Sequence, residues 1–524
     1  MVRIQLAGRR VGAWVVAVDV PAPEGVTLKP IAKVTGWGPS ADTIELARWA
    51  SWRWAGRLVH LLDTASPPGA VPALPRGRPT DVTQRAHEVV VERVPPANDV
   101  LPIVRREVAC GPTLIIAASL DTARRIGNQL RADGTACCLA PRDWAQAAAG
   151  GVTVLGSRAA AWAPMRAELA GIVVLDEHDE RLQEERAPTW HAREVAIERA
   201  RRAGVPVTLV SPCPSLEALA AADRVIEPSR ADERAGWPIL DVVDRRKEDP
   251  RSSGLYSERL VQLLRDRDRG RVVCVLNRKG RARMLVCGSC GEVARCERCD
   301  AAVTQLDDAV MRCPRCDTER PVVCTSCGSG MFRNVRAGVT RAAEELAALA
   351  GEPVGDDERI VVGTEAVLHQ VRGQVGAVTF LDFDQELLAP RYRAGEEALG
   401  LLALGARLLG ARSAGGRLLV QTRHPRHPVL DAVLLAEPDR AAAADRAQRV
   451  DLGFPPFAAL AAVSGPAAAD FIDAFGSSAG VEVLGPAEGR WLLRAPDHRT
   501  LCDALAVTTR PPGRVRVEVD PARV

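Results

Sequence analysis

The sequence predicts an α/β protein built on two parallel sheets, with a cysteine-rich module inserted into the second. Three observations carry this. From Thr113 onward, short continuous apolar runs alternate with helical stretches, the pattern of strands covered on both faces by helices. The same pattern resumes with RVVCVL at residue 271. Between that strand and the next one, RIVVG, stand four Cys-x-x-Cys pairs.

Taken in order, residues 1–20 alternate apolar and polar side chains around Gly8-Arg9-Arg10, which predicts a small β unit turning there. From Leu28 to Leu61, Ile31, Val34, Ile44, Leu46, Ala47, Trp49 and Trp52 recur at helical spacing. Residues 1–65 therefore read as a β unit plus a small helical or winged-helix module. Trp49, Trp52 and Trp54 are read as its core rather than as a base-stacking surface. Residues 66–99 are rich in Pro, Gly and Arg and read as a linker, with a short helix near His87.

A first α/β lobe spans 100–225. Its strands are TLIIAAS, TACCLA, GVTVLGS, GIVVLDEHDE and VPVTLVSPCPS, with DTARRIGNQLRADG a helix stopped at Gly134. A second lobe spans 226–435, with strands RVVCVLNRKG, RIVVGTEA, AVTFLDFD and RLLVQTRHP. A C-terminal α+β domain, 436–524, takes LGFPPFAALAAVSG, VEVLGPAEGRWLLRAP and RVRVEVDP as strands, with helices at 467–475 and 498–507.

The insertion, 286–329, carries the most specific chemistry. A Cys-x-x-Cys turn lets two thiolates grip one ion, so four pairs supply two tetrahedral all-cysteine zinc sites. A single pair would leave a redox dithiol or a disulfide open; four in tandem favour metal. No water-activating position is left, so the sites read as closed and structural. The 13 residues between Cys299 and Cys313 suit a hairpin. That hairpin brings Cys296, Cys299, Cys313 and Cys316 together, and Cys287, Cys290, Cys324 and Cys327 close around it. Gly288, Gly291 and Gly328 stand beside the pairs, where tight turns need free backbone angles.

The formal charge of the 524-residue chain is +3, and loading eight thiolates with two divalent ions turns it slightly negative. Global charge is thus no argument for nucleic acid; only local clusters are. Arg278, Lys279, Arg281 and Arg283 form one, beside the zinc module, and are the candidate DNA contact. The first residues lack the layout of a secretion signal, and no apolar run is long enough to span a bilayer. A cytoplasmic protein is expected, which suits free thiols at Cys110, Cys137, Cys138, Cys213, Cys274 and Cys502.

Spread over these elements are segments that resemble the PriA (primosomal protein N′) family of bacterial replication-restart helicases. LNRKGRARMLVCGSC is similar to the family's Asn-Arg-Arg-Gly run into the first Cys pair. APTWHAREVAIERARRAGVPVTLVSPCPSLEAL resembles its Tyr-His-Ala-Arg-Asp stretch and Ser-Ala-Thr-Pro-Ser motif. VVGTEAV, LVQTRHPRHPVL, GFPPF and VEVDP resemble its Gly-Thr-Gln, Gln-Thr, Tyr-Pro-Pro-Phe and Asp-Val-Asp-Pro segments. The resemblance implies two RecA-like helicase lobes, the nested cysteine pairing and binding of forked or single-stranded DNA. It also implies partnership with other primosome proteins and the replicative helicase system, and a nucleoid-associated location. Residues 1–20 resemble only the second half of the family's N-terminal DNA-binding domain, so a shortened domain or a downstream start is expected.

The departures are as informative. A phosphate-binding P-loop ends in Gly-Lys-Ser/Thr, yet none of the four lysines (29, 33, 247, 279) follows a glycine. The place expected for that loop, ahead of TLIIAAS, holds RREVACGP. The family's Asp-Glu-Glu-His becomes Asp176-Glu177-His178-Asp179, and Asp176 and Glu177 read as a degenerate metal-facing strand end or an ordinary solvated one. Its Gly-Arg-Ala-Gly-Arg survives only as LLGAR, with Leu409 for the first arginine and Arg412 for the second. His191 with Arg193 reads as a surface helix start. The expectation is a restart protein that recognises forks and promotes primosome assembly without catalysis. The alternatives are an active 3′-to-5′ helicase with an unconventional nucleotide site, and a zinc-ribbon scaffold that binds only proteins.

Overall fold

The computed structural model describes the chain apart from residues 22–23, 26, 166–168, 248–254, 277–284, 299–302, 306–309, 314–317, 335–338 and 524. It divides into two compact units. The first comprises Met1–Arg93, Asp99–Ile226 and Arg449–Pro521; the second comprises Val94–Asn98, Glu227–Gln448 and Ala522–Val524.

The first unit is built on a seven-stranded sheet. Its order is Arg224–Ile226, Val89–Arg93, Val207–Ser211, Gly171–Leu175, Thr113–Ile116, Thr153–Gly156 and Cys137–Leu139, and every pairing is parallel. The central strands are apolar at consecutive positions because helices cover both faces; Gly171–Leu175 is buried throughout. Val89–Arg93 lies inside the stretch expected to be a linker, and the residues around His87 are not helical. Its VVVER sequence ends in charge, yet Val89, Val90 and Val91 are all buried.

At the amino terminus, Val2–Leu6 pairs antiparallel with Arg9–Ala13, and Lys33–Val34 adds a third strand. The turn is Ala7–Gly8, both at positive φ (47° and 78°). A two-residue turn of this hand matches the twist of the strands. Arg9 and Arg10 are therefore strand residues, correcting the expected turn. The helical module begins only at Ala41–Arg53, where Ser40 accepts the Thr43 N–H, and continues in Leu58–Ala65. Residues 28–40 are not helical. Trp54 is fully buried and meets Trp49 edge to face at 5.4 Å, while Trp52 Nε1 donates to Asp503 at 2.9 Å. These indoles pack and tie; they do not form a stacking surface.

The C-terminal sheet is antiparallel, in the order Glu482–Ala487, Arg490–Ala495, Ala459–Ser464 and Arg516–Val519, with helices Ala468–Phe475 and His498–Val507 beside it. Leu46, Leu61, Val91, Leu209, Phe471 and Val519 belong to one hydrophobic core, which is why these segments, remote in sequence, form one unit. Asp520 fastens that union: its carboxylate takes Arg53 at 2.7 Å and His498 at 2.9 Å.

The second unit carries a five-stranded parallel sheet, ordered Ile239–Asp244, Arg417–Thr422, Val375–Phe380, Arg271–Val275 and Ile360–Gly363. Its cysteine module adds two small sheets: Leu285–Cys287 with Phe332–Asn334, and Thr304–Gln305, Val310–Arg312 and Glu319–Pro321. Among the described residues, no helix is long and apolar enough to cross a membrane.

Candidate functional site

Two stretches of the module, Cys-Gly-Ser-Cys-Gly-Glu (287–292) and Cys-Thr-Ser-Cys-Gly-Ser (324–329), fold alike. In the first, the Gly291 N–H donates to the Cys287 carbonyl and the Cys287 N–H to the Glu292 carbonyl. In the second, Gly328 donates to Cys324 and Cys324 to Ser329. Each glycine has positive φ (77° and 74°), which reverses the chain directly after the second cysteine. The sulfurs are thereby turned inward from both loops.

Their meeting is close. The Sγ atoms of Cys287, Cys290, Cys324 and Cys327 all lie within 4.8 Å of one another. Cys287 is 3.5 Å from Cys327, and Cys290 is 3.6 Å from Cys324. These separations exclude disulfides. They approach the edge of about 3.8 Å expected for a tetrahedron with metal–sulfur bonds of about 2.3 Å. Burial pushes the Cys287 thiol up, but N–H groups of Cys290 and Ser289 outweigh it and bring it to about 6. Burial and the adjacent sulfurs push Cys290 up to about 12. Once one thiolate forms, the next is penalised; a dication removes that penalty. The donor set therefore fits a divalent ion.

Of the second expected set, Cys296 and Cys313 are buried beside Leu285, Val303 and Met311, while Cys299 and Cys316 lie outside the described residues. Arg278, Lys279, Arg281 and Arg283 also lie outside them.

The module is tied to the loop after Arg417–Thr422. Arg423 Nε donates to the Gly291 carbonyl at 2.8 Å, and Arg295 contacts the His424 ring. Asp384 holds this loop through the Arg423 N–H at 3.0 Å and the Thr422 hydroxyl. None of this is legible in the sequence: nothing in QTRHP marks Arg423 as the side chain that reaches a carbonyl of the cysteine loop.

In an open parallel sheet, phosphates are bound at the carboxyl ends of strands, where the next helix begins. Cys110-Gly111-Pro112 enters Thr113–Ile116 at the opposite end, so the place expected for a P-loop was misplaced. The fitting turn is 94–100, VPPANDV, between Val89–Arg93 and the helix Leu101–Val108. Pro95 and Pro96 have no N–H to offer. Asp99 Oδ1 accepts the Leu101 N–H at 3.0 Å, so a carboxylate already stands at the helix start. Beside the turn, Gly236 accepts the Ala97 N–H, and a Cβ at Gly236 would come within 2.3 Å of the Pro95 Cβ.

Asp176 and Glu177 follow the strand Gly171–Leu175. Glu177 is fully buried, and its oxygens take Arg193 Nη1 at 3.0 Å, the Ser215 N–H at 2.8 Å and the Ser215 hydroxyl at 2.8 Å. Ser215 caps the helix Leu216–Ala221, and His191 caps Ala192–Ala203 by accepting the Arg193 N–H. Arg193 and His191 are both buried, which corrects the expected surface helix start; Glu177 is correspondingly not a solvated strand end. Burial pushes the His178 imidazole down, but Cys213, Asp176 and Glu177 outweigh it and raise it to about 10. Its Nδ1 meets the Ser211 hydroxyl at 2.7 Å. Asp179 is engaged locally with Arg181. Arg412 is exposed in a short turn after the helix Ala394–Leu409.

No family model matches the chain. Whole-sequence relatives do. The chain is 31% identical over 357 residues to the probable replication restart protein PriA of Mycobacterium tuberculosis, covering 62% of this chain and 54% of that one. It is 27% identical over 350 residues to replication restart protein PriA of Bacillus subtilis, covering 59% and 43%. Over about 60% of its length the chain is similar to proteins of the PriA family. It spans about half the length of the curated relatives it matches. A solved structure of yeast Dbp5 bound to RNA and ADP BeF3 is similar at TM-score 0.36 and 9% identity over 69% of this chain and 88% of that one, too remote to carry an argument. In this chain four cysteine sulfurs converge, whereas the turn that would face a phosphate presents prolines and a carboxylate.

Proposed function

We propose that this chain works in replication restart as a fork-recognising, PriA-like protein that does not hydrolyse ATP. It binds forked or single-stranded DNA in the cytoplasm, at the nucleoid, and promotes assembly of primosome proteins and reloading of the replicative helicase. The two parallel sheets act as degenerate RecA-like lobes. Two zinc ions brace the module, one on Cys287, Cys290, Cys324 and Cys327, the other on Cys296, Cys299, Cys313 and Cys316. Arg278, Lys279, Arg281 and Arg283 supply backbone contacts. Similarity to replication restart proteins over about 60% of the chain supports the restart role.

One observation carries the loss of catalysis: the turn 94–100 offers Pro95, Pro96 and a helix start occupied by Asp99 where phosphates need free N–H groups and a lysine. Phosphoryl transfer is chiefly positioning and charge stabilisation, so a site without its cradle has little left to supply. Glu177, spent on Arg193 and Ser215, is part of the scaffold, and Asp176 and Arg412 are remnants.

The test pairs two assays on the metal-loaded chain. Fork binding should be salt-dependent and tolerant of sequence, and ATP hydrolysis with fork DNA should stay at background. Replacing Arg278, Lys279 and Arg281 together by Ala should lower the salt slope on duplex arms by about 2.7, three phosphate contacts' worth. Hydrolysis at about 1 s⁻¹ or faster would favour the active helicase. Metal loading without any fork binding would leave the protein-only scaffold.

A further inference from the structure

The first unit holds a polar cavity of about 460 Å³ at the free edge of its sheet, beside the outermost strand Cys137–Leu139. Arg124, Asn128 and Arg131 line one side, from the helix Leu120–Ala132. The spacing of four and three residues puts them on one face of that helix. Arg142, Asp143 and Gln146 line the other side.

The cations here are incompletely matched. Arg142 forks onto Asp143 at 3.0 and 3.2 Å, and Asp143 also accepts the Leu139 N–H at 2.9 Å. That carboxylate is therefore committed. Among the described residues Arg124 meets only Asp121, at 3.3 Å and with both side chains mostly exposed, a pairing worth little. Arg131 donates to the neutral Asn128 Oδ1 at 2.8 Å, and among the described residues no carboxylate lies within ion-pair distance of it. Its guanidinium lies back along the helix, 3.7 Å from where a Gly127 Cβ would stand. Three guanidinium groups thus converge on a cavity that holds one carboxylate.

Such a cavity wants an oxyanion with several acceptor oxygens, which guanidinium forks match in pairs. Among the described residues no Trp, Tyr or Phe lines it, so the lining offers no ring to stack on a base. Arg124 and Arg131 stand about 10 Å apart along the helix axis, a reach suited to a chain of anions. We propose that this edge cavity binds backbone phosphates of a polynucleotide strand, independent of sequence, as a contact separate from the arginine-rich loop beside the zinc module. The strand as ligand rests on the restart reading; the oxyanion site itself does not.

The experiment uses the full metal-loaded chain, an Arg124→Ala/Arg131→Ala variant and an Arg124→Lys/Arg131→Lys variant. All four substitutions fall on exposed side chains, and equal melting temperatures confirm the fold. Fluorescence anisotropy with an oligothymidylate is read from 50 to 200 mM salt, and melting is read with and without inorganic pyrophosphate. Removing two contacts should lower the single-strand salt slope by about 1.4, so the parent loses about sevenfold more affinity over this range than the alanine variant. The lysine variant should keep the parent slope. Unchanged oligothymidylate binding, with pyrophosphate protection lost only in the alanine variant, overturns the strand in favour of a free phosphate compound. Unchanged behaviour in both assays overturns the site. A parent that binds no DNA sinks the restart reading, and pyrophosphate protection alone then decides whether the oxyanion site exists.

Discussion

The cysteine loops and the turn at 94–100 are both short chain reversals whose purpose is to aim donors at an ion. In the loops, Cys287 and Cys324 repeat one hydrogen-bond pattern, and four sulfurs converge within 4.8 Å. In the turn, Pro95 and Pro96 remove donors and Asp99 occupies the helix start. The strands leading into the turn are no less ordered for it: Val89, Val90 and Val91 are buried like any sheet core. Fold and chemistry therefore depend on different residues. Apolar runs keep a sheet; a handful of polar groups at its rim keep a reaction, and they can vanish without cost to the core.

The largest effect expected of that contrast lies at the cysteines. Structural zinc contributes on the order of 10 kcal/mol to the fold around it. Cys290→Ser should remove one ion per chain from the two proposed and unfold the module. The parallel sheets, with cores of their own at Leu114 and Leu419, should keep their cooperative melting. Elemental analysis together with a thermal scan checks both halves; a parent holding no metal would erase the contrast altogether.

Next in size is Glu177. If it were a leftover of a magnesium site, replacing it would be nearly silent. Buried against Arg193 and Ser215, it should not be. Glu177→Ala strands the Arg193 guanidinium inside the protein, at a cost of about 3–5 kcal/mol. Urea midpoints measure it, and a shift under 1 kcal/mol would return Glu177 to the rim residues.

How much of this was readable in sequence follows from the same division. Strands such as TLIIAAS and GIVVL announce themselves because burial on both faces demands continuous apolar runs. Val89–Arg93 did not, since its last two residues are charged and the stretch before it is rich in Pro, Gly and Arg. With that strand unmarked, the sequence puts the expected P-loop ahead of TLIIAAS, at the opposite end of the sheet from where a following helix begins. The cysteine spacing was plain because metal geometry constrains it. The burial of Arg193 was not, because only the tertiary fold brings Glu177 beneath it, sixteen residues away in the chain.

A smaller effect tests a structural ion network at the seam of the first unit. Arg53 and His498 hold the Asp520 carboxyl well below the usual carboxylate range, against the opposing influence of burial. A depressed folded value stabilises the protein fully above the unfolded carboxyl value, near 3.9 for Asp. The contribution fades as pH falls below that value and disappears below the folded one. Asp520→Asn should therefore melt lower than the parent at pH 7, by about 1–3 kcal/mol of lost stability, with the gap narrowing at pH 3. A gap that widens in acid would contradict the sign.

The smallest effect belongs to Arg412, and its smallness is the prediction. In a working second lobe, an arginine at this place would stabilise the charge on a transferring phosphoryl group, a contribution of about 10³–10⁵ in rate. Here the side chain is exposed, and the turn at 94–100 carries two prolines that have no N–H to give. An arginine with no phosphate to meet is an ordinary surface residue, and surface substitutions stay within about 0.5 kcal/mol. Arg412→Ala should leave the melting temperature and fork affinity unchanged. ATP turnover should stay at the same background as in the parent. Should the parent hydrolyse ATP and Arg412→Ala abolish it, the rim of these sheets would have kept its chemistry by another route. The difference between the cysteine loops and the turn at 94–100 would then be one of appearance only.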